Sequence, residues 1–344
     1  VFGTWRAITM LMKYLLGTFT AILFCIVFNS ATTAQGPAAN QKIQVAILLD
    51  TSNSMDGLID QAKSQLWKIV NELAGAKCSD GARPGIRIAL YEYGRTSNDV
   101  KQGYVKQLSD FTTDLDKLSS ILFSLTTNGG DEYCGHVIQS SLNELKWDAS
   151  GNSYKVIFIA GNEDFLQGDI KYTSACRIAG EKGVIVNTIY CGDKQQGIKE
   201  HWSLSGECGN GSYTHIDQNA TEEEINTPYD SAMYVMNNQL NFTYVTYGYA
   251  GAANLARQAE MDEQNAKQSK KAGLQRTAVK ANAGLYQNAM WDLVDAYKTD
   301  SAIVTRIDRK TLPDSLKNRN DKELNELIKD KAEERTVIQG EITR

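Results

Sequence analysis

The sequence has no excess of positive charge, no Cys-x-x-Cys pair and only three histidines. With a formal net charge of −5 and a pI near 5.4 over 344 residues, it does not read as a nucleic-acid binder. Without a Cys-x-x-Cys pair there is no zinc ribbon and no thioredoxin-type centre. No Gly-x-Ser-x-Gly elbow marks a hydrolase nucleophile, no Gly-Lys-Ser/Thr closes a phosphate loop, and no dinucleotide fingerprint follows the first strand. Internal repeats and low-complexity linkers are missing too. Beyond the N-terminal segment, no run is apolar and long enough to cross a bilayer. What remains is ordinary globular composition, 42% hydrophobic and 22% charged. The length suits one large domain with an appendage, or two domains.

Residues 1–34 read as a targeting segment. In "MLMKYLLGTFTAILFCIVFNSATTAQGP" a lysine precedes a long apolar run, and small and polar residues follow. That is the order of a secretory signal, with cleavage expected after Ala34 and with residues 1–11 upstream of a start at Met12. An uncleaved anchor is the alternative, but an apolar run of roughly 15 residues is short for a span. The chain is therefore expected to be exported, to a periplasm or beyond the cell, with no membrane span once the signal is removed. Export permits disulfides. Signal removal takes Cys25 and leaves Cys78, Cys134, Cys176, Cys191 and Cys208.

From residue 43 to about 217 the pattern alternates. "IQVAILL", "IRIALYEYG", "YKVIFIAG" and "VIVNTIYCG" are apolar runs suited to strands buried on both faces. "GYVKQLSDF" suits an edge strand and "GSYTHID" a last one. Helices are expected at "LIDQAKSQLWKIVNELAG", "TDLDKLSSILFSL", "GGDEYCGHVIQSSLNELKW", "YTSACRIAGEKG" and "KEHWSLSGE". Alternation with short connections predicts an α/β fold, a doubly wound, mostly parallel sheet with helices on both faces. Residues 220–344 change character. Leu274, Ala278, Ala281, Leu285, Ala289 and Leu293 repeat at helical spacing, and a proline turn then leads into a charged helix. This part is expected to be a helical appendage that packs on the sheet domain or on a partner, the alternative being a solvated stalk.

"LLDTSNS" carries the chemistry. Asp50, Ser52 and Ser54 follow the first strand directly, and alternate residues of extended backbone face one way. One carboxylate and two hydroxyls thus converge, a shell suited to magnesium, manganese or calcium rather than zinc. A single carboxylate leaves the ion with positive charge to spare, enough to capture a carboxylate from another molecule.

Over residues 43–217 the chain resembles the von Willebrand factor type A (VWA) domain family with its metal-ion-dependent adhesion site (MIDAS). "LLDTSNSM", the helix after it, "YEYG", the "GGDE…G..I" turn and helix, and "VIFIAG" carry the resemblance. "YTSACRIAGEKGVIVNTIYCG" and "LNFTYVTYGYAGAAN" further resemble a subgroup of exported bacterial proteins with such domains. The resemblance implies a Rossmann-like sheet and a magnesium site on Asp50, Ser52 and Ser54. Glu132, with Asp131 beside it, stands where the family has a threonine or an acid. The family also has an aspartate in a Thr-Asp-Gly triplet after the fourth strand, but here the triplet is Ala160-Gly161-Asn162. Asn162 acting through a water, Glu163 or Asp164 from further along, or Glu132 itself could replace that acid.

The expected function is a non-enzymatic, exported binding module that engages a protein partner's acidic residue through a divalent cation. The alternative is a metal-free scaffold that assembles through its C-terminal helices. An enzyme would need a cluster around His136 and Asp131, and nothing marks an activated nucleophile near His201, Ser203 or Cys208. The layout suggests disulfides Cys176–Cys191 and Cys134–Cys208, leaving Cys78 free, although spacing alone leaves the connectivity open.

Overall fold

The computed structural model describes residues 42–75, 84–204, 210–217 and 226–344. The expected signal segment, Cys25, Cys78 and Cys208 lie outside these residues. Six strands form one sheet: β1 (Lys42–Asp50), β2 (Gly85–Tyr93), β3 (Lys106–Thr112), β4 (Tyr154–Gly161), β5 (Ile185–Cys191) and β6 (Tyr213–Ile216). Their order is β3-β2-β1-β4-β5-β6, parallel throughout except for β3 against β2. The helices are α1 (Asp56–Ala74), α2 (Leu115–Ser124), α3 (Cys134–Glu144), α4 (Tyr172–Lys182), α5 (Lys194–Lys199), α6 (Asp230–Asn241), α7 (Gly251–Gln268), α8 (Lys270–Ala281), α9 (Leu293–Thr299) and α10 (Asp321–Thr343). This is the expected doubly wound, mostly parallel α/β sheet flanked by helices, with further helices at the C-terminal end. No helix of the described residues is long and apolar enough to cross a membrane.

The chain divides into two compact units. Described residues of the first fall at 42–61, 75, 84–112, 125–204 and 210–217, and those of the second at 62–74, 113–124 and 226–344. In the first unit, β1 is buried along nearly its whole length, as a parallel strand covered on both faces must be. Alternate residues of the central strands, among them Leu48, Tyr91, Ile157, Ile159 and Val186, form one core with Val137, Ile138 and Leu142 of α3 and Ala175 and Ala179 of α4. The strand order reverses between β1 and β4. In open α/β sheets ligands bind at this point, beyond the carboxyl ends of the strands. Asp50 ends β1 and Gly161 ends β4, so the fold brings "LLDTSNS" and "AGNED" to this crevice.

Three expectations are corrected. The helix read at "KEHWSLSGE" forms earlier, as α5, because Asp193 caps it by accepting from the Gln195 and Gln196 amides. His201, at φ +64°, then breaks the chain before a short 3-10 turn at Trp202–Leu204. The helical repeat extended through Leu293 stops at Ala281. Ser269 splits α7 from α8 by turning extended and accepting from the Ala272 amide, and the Asn282 side chain closes a turn on the Gly284 amide. The disulfides Cys176–Cys191 and Cys134–Cys208 do not form: Cys134 and Cys191 are free and buried, and Cys176 is disulfide-bonded but not to either of them. Cys134 turns inward from α3, 3.9 Å from the Tyr93 hydroxyl, and the Cys191 thiol faces the Ile189 carbonyl at 3.9 Å. Burial pushes both thiols well above the ordinary range, which makes them unreactive.

The second unit has a core of its own, in which Val245, Leu293, Val294, Leu324 and Ile328 pack together. A solvated stalk would have none. It also buries three paired cations. Arg276 bonds Asp116 at 2.5 Å and Asp262 at 2.6 Å while lying over Trp67, and Lys280 bonds Asp262 at 2.7 Å. Arg335 bonds Asp292 at 2.7 Å and lies over the Tyr244 ring. Arg276→Met leaves Asp116 without its cation in a buried place, and should lower stability by about 3–5 kcal/mol in urea denaturation followed by tryptophan fluorescence. Arg177→Ala, which removes the exposed Arg177–Glu181 pair, should leave the midpoint almost unmoved.

Candidate metal centre

β1 leaves the sheet at Asp50, which stands in register with Tyr93 at the end of β2. The Thr51 amide and hydroxyl both donate to the Tyr93 carbonyl, at 2.9 and 3.1 Å, so the chain stays latched to β2 as it turns. The Ser52 amide then donates to Asp50 Oδ1 at 2.7 Å, an Asx-type turn. A short 3-10 turn, Asn53–Met55, follows and leads into α1. This geometry sets the Ser52 and Ser54 hydroxyls 3.3 Å apart. The Asn162 side chain meets Ser54 from the β4 loop, its amide nitrogen 3.1 Å from the hydroxyl.

Glu132 arrives from the loop before α3. That loop is tied down by the Asn128 amide on the Thr51 carbonyl, at 2.9 Å, and by the Thr96 amide on the Gly129 carbonyl, at 2.8 Å. Gly94 makes the meeting of the two acids possible. It has φ +78°, and a Cβ there would lie 2.8 Å from Asp50 Oδ1 and 2.9 Å from Glu132 Cγ. The two acids therefore flank a bare stretch of backbone. Asp50 is 0% and Glu132 3% exposed. Asp50 Oδ2 and Glu132 Oε2 are both buried and accept no hydrogen bond from the described residues. Such oxygens are costly unless a shared proton or a cation satisfies them. Burial pushes both carboxyls above their usual range, and a hydrogen bond between the two raises Glu132 further while drawing Asp50 back down. The charge of Glu163 raises both, and hydrogen bonding by Ser52 opposes the shift. Side by side, the pair resists double ionisation.

The acid that the family has at the place of Gly161 would not fit in this fold. A Cβ at Gly161 would strike the Tyr93 hydroxyl, and would lie 3.0 Å from the Trp202 ring and 3.2 Å from Asp50 Oδ2. Neither ring can give way easily. The Tyr93 hydroxyl donates to the Ala160 carbonyl at 3.0 Å. Trp202 is fully buried, donates to the Glu163 carbonyl at 2.7 Å and packs edge-on against Phe165.

Of the residues singled out from the sequence, Asp50, Ser52, Ser54, Glu132 and Asn162 gather here. Asp131 is exposed and accepts from the Tyr133 hydroxyl at 3.2 Å. Glu163 is exposed and contributes charge. Asp164 is engaged elsewhere, accepting from the Leu166 amide at 2.9 Å and facing His201 Nδ1 at 3.0 Å. His136 packs beside Tyr133 and against Gly103, and burial lowers its pKa. Sequence reading missed Tyr93, Gly94 and Trp202; a glycine directly after the second strand, in "YEYG", was the available signal.

The donors fit a hard divalent cation: two carboxylates, two hydroxyls and an amide oxygen, with two buried oxygens lacking partners. Among the described residues, no three His, Cys, Asp or Glu side chains gather as a metal cluster.

A family model described as von Willebrand factor type A domain matches residues 44–227. No curated protein matches the chain. Among solved structures, proximal thread matrix protein 1 from the mussel byssus, with a zinc-occupied MIDAS motif, is 13% identical with a TM-score of 0.38, over 51% of this chain and 41% of that one. This chain thus spans about two fifths of the mussel protein's length. The vWF domain of the type V pili tip protein Mfa5 from Porphyromonas gingivalis is 13% identical with a TM-score of 0.39, over 52% of this chain and 90% of that one. An aerotolerance-related membrane protein from Bacteroides fragilis is 15% identical with a TM-score of 0.34, over 51% and 92%.

The raised Glu132 carboxyl has a consequence for stability. Its favourable contribution is fully present below the ordinary value of 4.5 and is lost as pH rises. In EDTA, Glu132→Gln should therefore gain on the wild type as pH rises from about 4.5 towards neutrality, by at most about 1.4 kcal/mol per pH unit. Thermal melts across that range measure the difference, and a constant offset would contradict the account.

Proposed function

The chain belongs to the von Willebrand factor type A domain family, and from that premise we propose that it is an exported, non-enzymatic binding module holding a divalent cation at the rim of its sheet. The observation that carries this reading is the pair of buried, partnerless oxygens on Asp50 and Glu132, beside the Ser52 and Ser54 hydroxyls. Asp50, Ser52, Ser54 and Glu132 would hold the ion, magnesium or its manganese or calcium relatives, with Asn162 at the edge. Once bound, a divalent cation supplies coordination positions for an oxygen donor on a protein partner. Asp50 and Glu132 anchor the ion, while the glycine backbone at 94 keeps side chains out of the space between them.

No bond is made or broken in this reading. Asp131 and His136 make their contacts with Tyr133, not with a nucleophile, and His201 is paired with Asp164. Residues 1–34 serve as the export signal, 43–217 as the binding domain and 220–344 as its helical appendage. One observation favours the metal-free scaffold instead: the closed position at Gly161, which removes an acid that the family normally supplies. In that case the C-terminal helices carry the assembly.

Isothermal titration with magnesium and manganese separates the two. The wild type should give saturable heats and Asp50→Ala should give none, with circular dichroism showing both proteins folded. Equal heats, or none from either protein, would sink the cation reading.

A further inference from the structure

The sequence expectation of an acidic partner group rests on the single carboxylate of the Asp50, Ser52 and Ser54 motif, with Glu132 added from the resemblance. The folded site has two, and they reach it from different sides. Asp50 comes from the end of β1 and Glu132 from the loop before α3, and both abut Gly94. The third direction, from the end of β4, is shut. The Tyr93 hydroxyl and the Trp202 ring fill the space that a side chain at Gly161 would need. The acid missing from one loop is thus matched by an acid on another, and that acid is 3% exposed, with an oxygen, Oε2, that accepts no hydrogen bond from the described residues.

Two carboxylates balance the charge of a divalent cation. The outer lip of the site is neutral and polar: the exposed Ser54 hydroxyl, bonded to the half-buried Asn162 amide. Glu163, the residue after Asn162, is exposed at the same edge and adds negative charge. An incoming carboxylate would meet no surplus of positive charge and one acid close by. A hydroxyl or an amide carbonyl would meet a hydroxyl and an amide able to bond to it.

We infer that Glu132 sets the ligand class of this site: loaded with a divalent cation, it takes a neutral oxygen donor, a hydroxyl or an amide carbonyl, in preference to a carboxylate. The inference rests on the cation reading above. Glu132→Thr would restore a shell with one carboxylate and surplus charge, and with it a preference for acids. Removing this buried carboxylate should also weaken cation binding, by a factor of roughly thirty or more.

Water-proton relaxation of the manganese-loaded full chain reads out the ligand class, because a ligand that enters the ion's shell displaces bound water. Acetate, glycerol and N-methylacetamide are titrated at equal concentrations, with manganese saturating for each protein. In the wild type, acetate should lower the relaxivity less than the more effective neutral probe does. Whether glycerol or N-methylacetamide is that probe separates a hydroxyl source from an amide source. In Glu132→Thr the order should reverse. Glu132→Gln keeps the side chain's shape and should reverse it as well, which guards against a folding defect in the threonine variant. Acetate displacing more water than both neutral probes from the wild type would overturn the inference while leaving the cation reading intact. A wild type that binds no manganese would overturn the cation reading itself.

Discussion

Two acids held together in a dry place are the constraint on which the first unit turns. Asp50 cannot avoid burial, because it ends the central strand of a sheet covered on both faces. Glu132 could have pointed elsewhere, as its neighbour Asp131 does, yet its loop is tied to Thr51 and its side chain is packed against Gly94. Several local features follow from that meeting. Gly94 takes a left-handed conformation, and Gly130 sits so close to the Gly94 carbonyl that a Cβ would lie 2.6 Å away. Ser52 turns its amide onto Asp50, which sets the hydroxyl pair.

The second unit handles buried charge in the opposite way. Arg276, Lys280 and Arg335 are almost wholly buried, and each is matched by carboxylates and hydrogen-bond acceptors at normal distances. Lys280 also bonds the Asn237 and Asn241 side chains, and Arg335 the Thr243 hydroxyl and carbonyl. Such networks specify one arrangement of helices when every member is satisfied. The contrast helps in reading the chain. Arg276, Lys280 and Arg335 are paired, whereas Asp50 Oδ2 and Glu132 Oε2 at the sheet rim meet no donor among the described residues, as is also so of single atoms of Glu92, Arg95, Arg257 and Arg309. What sets the rim apart is that its two oxygens belong to adjacent acids.

Much of this was legible in the sequence, and what was not has physical reasons. The strands of the sheet announce themselves as apolar runs, and their alternation with helices implies the topology. Asp50, Ser52 and Ser54 were legible because backbone spacing alone sets the direction of alternate residues. Glu132 could be placed by counting back from Gly135 and Ile138 in the helix that follows. The break at Ser269 was not legible, since the residues on either side all favour helix and one capping hydroxyl decides the matter. Cysteine pairing was not legible either, because it depends on which faces of α3 and β5 turn inward. The closure of position 161 was the least legible, as it requires a side chain from β2, a ring from the turn after α5 and the end of β4 to meet in space.

That closure ties together positions far apart in the chain. An aspartate at 161 and a tyrosine at 93 compete for one volume, so either residue is tolerated only in the absence of the other. The order of substitution matters: the ring at 93 has to leave before an acid can come back at 161, and the intermediate with neither would hold a void beside Trp202. Tyr93, two strands away in the sheet, thus decides which side chains position 161 can hold.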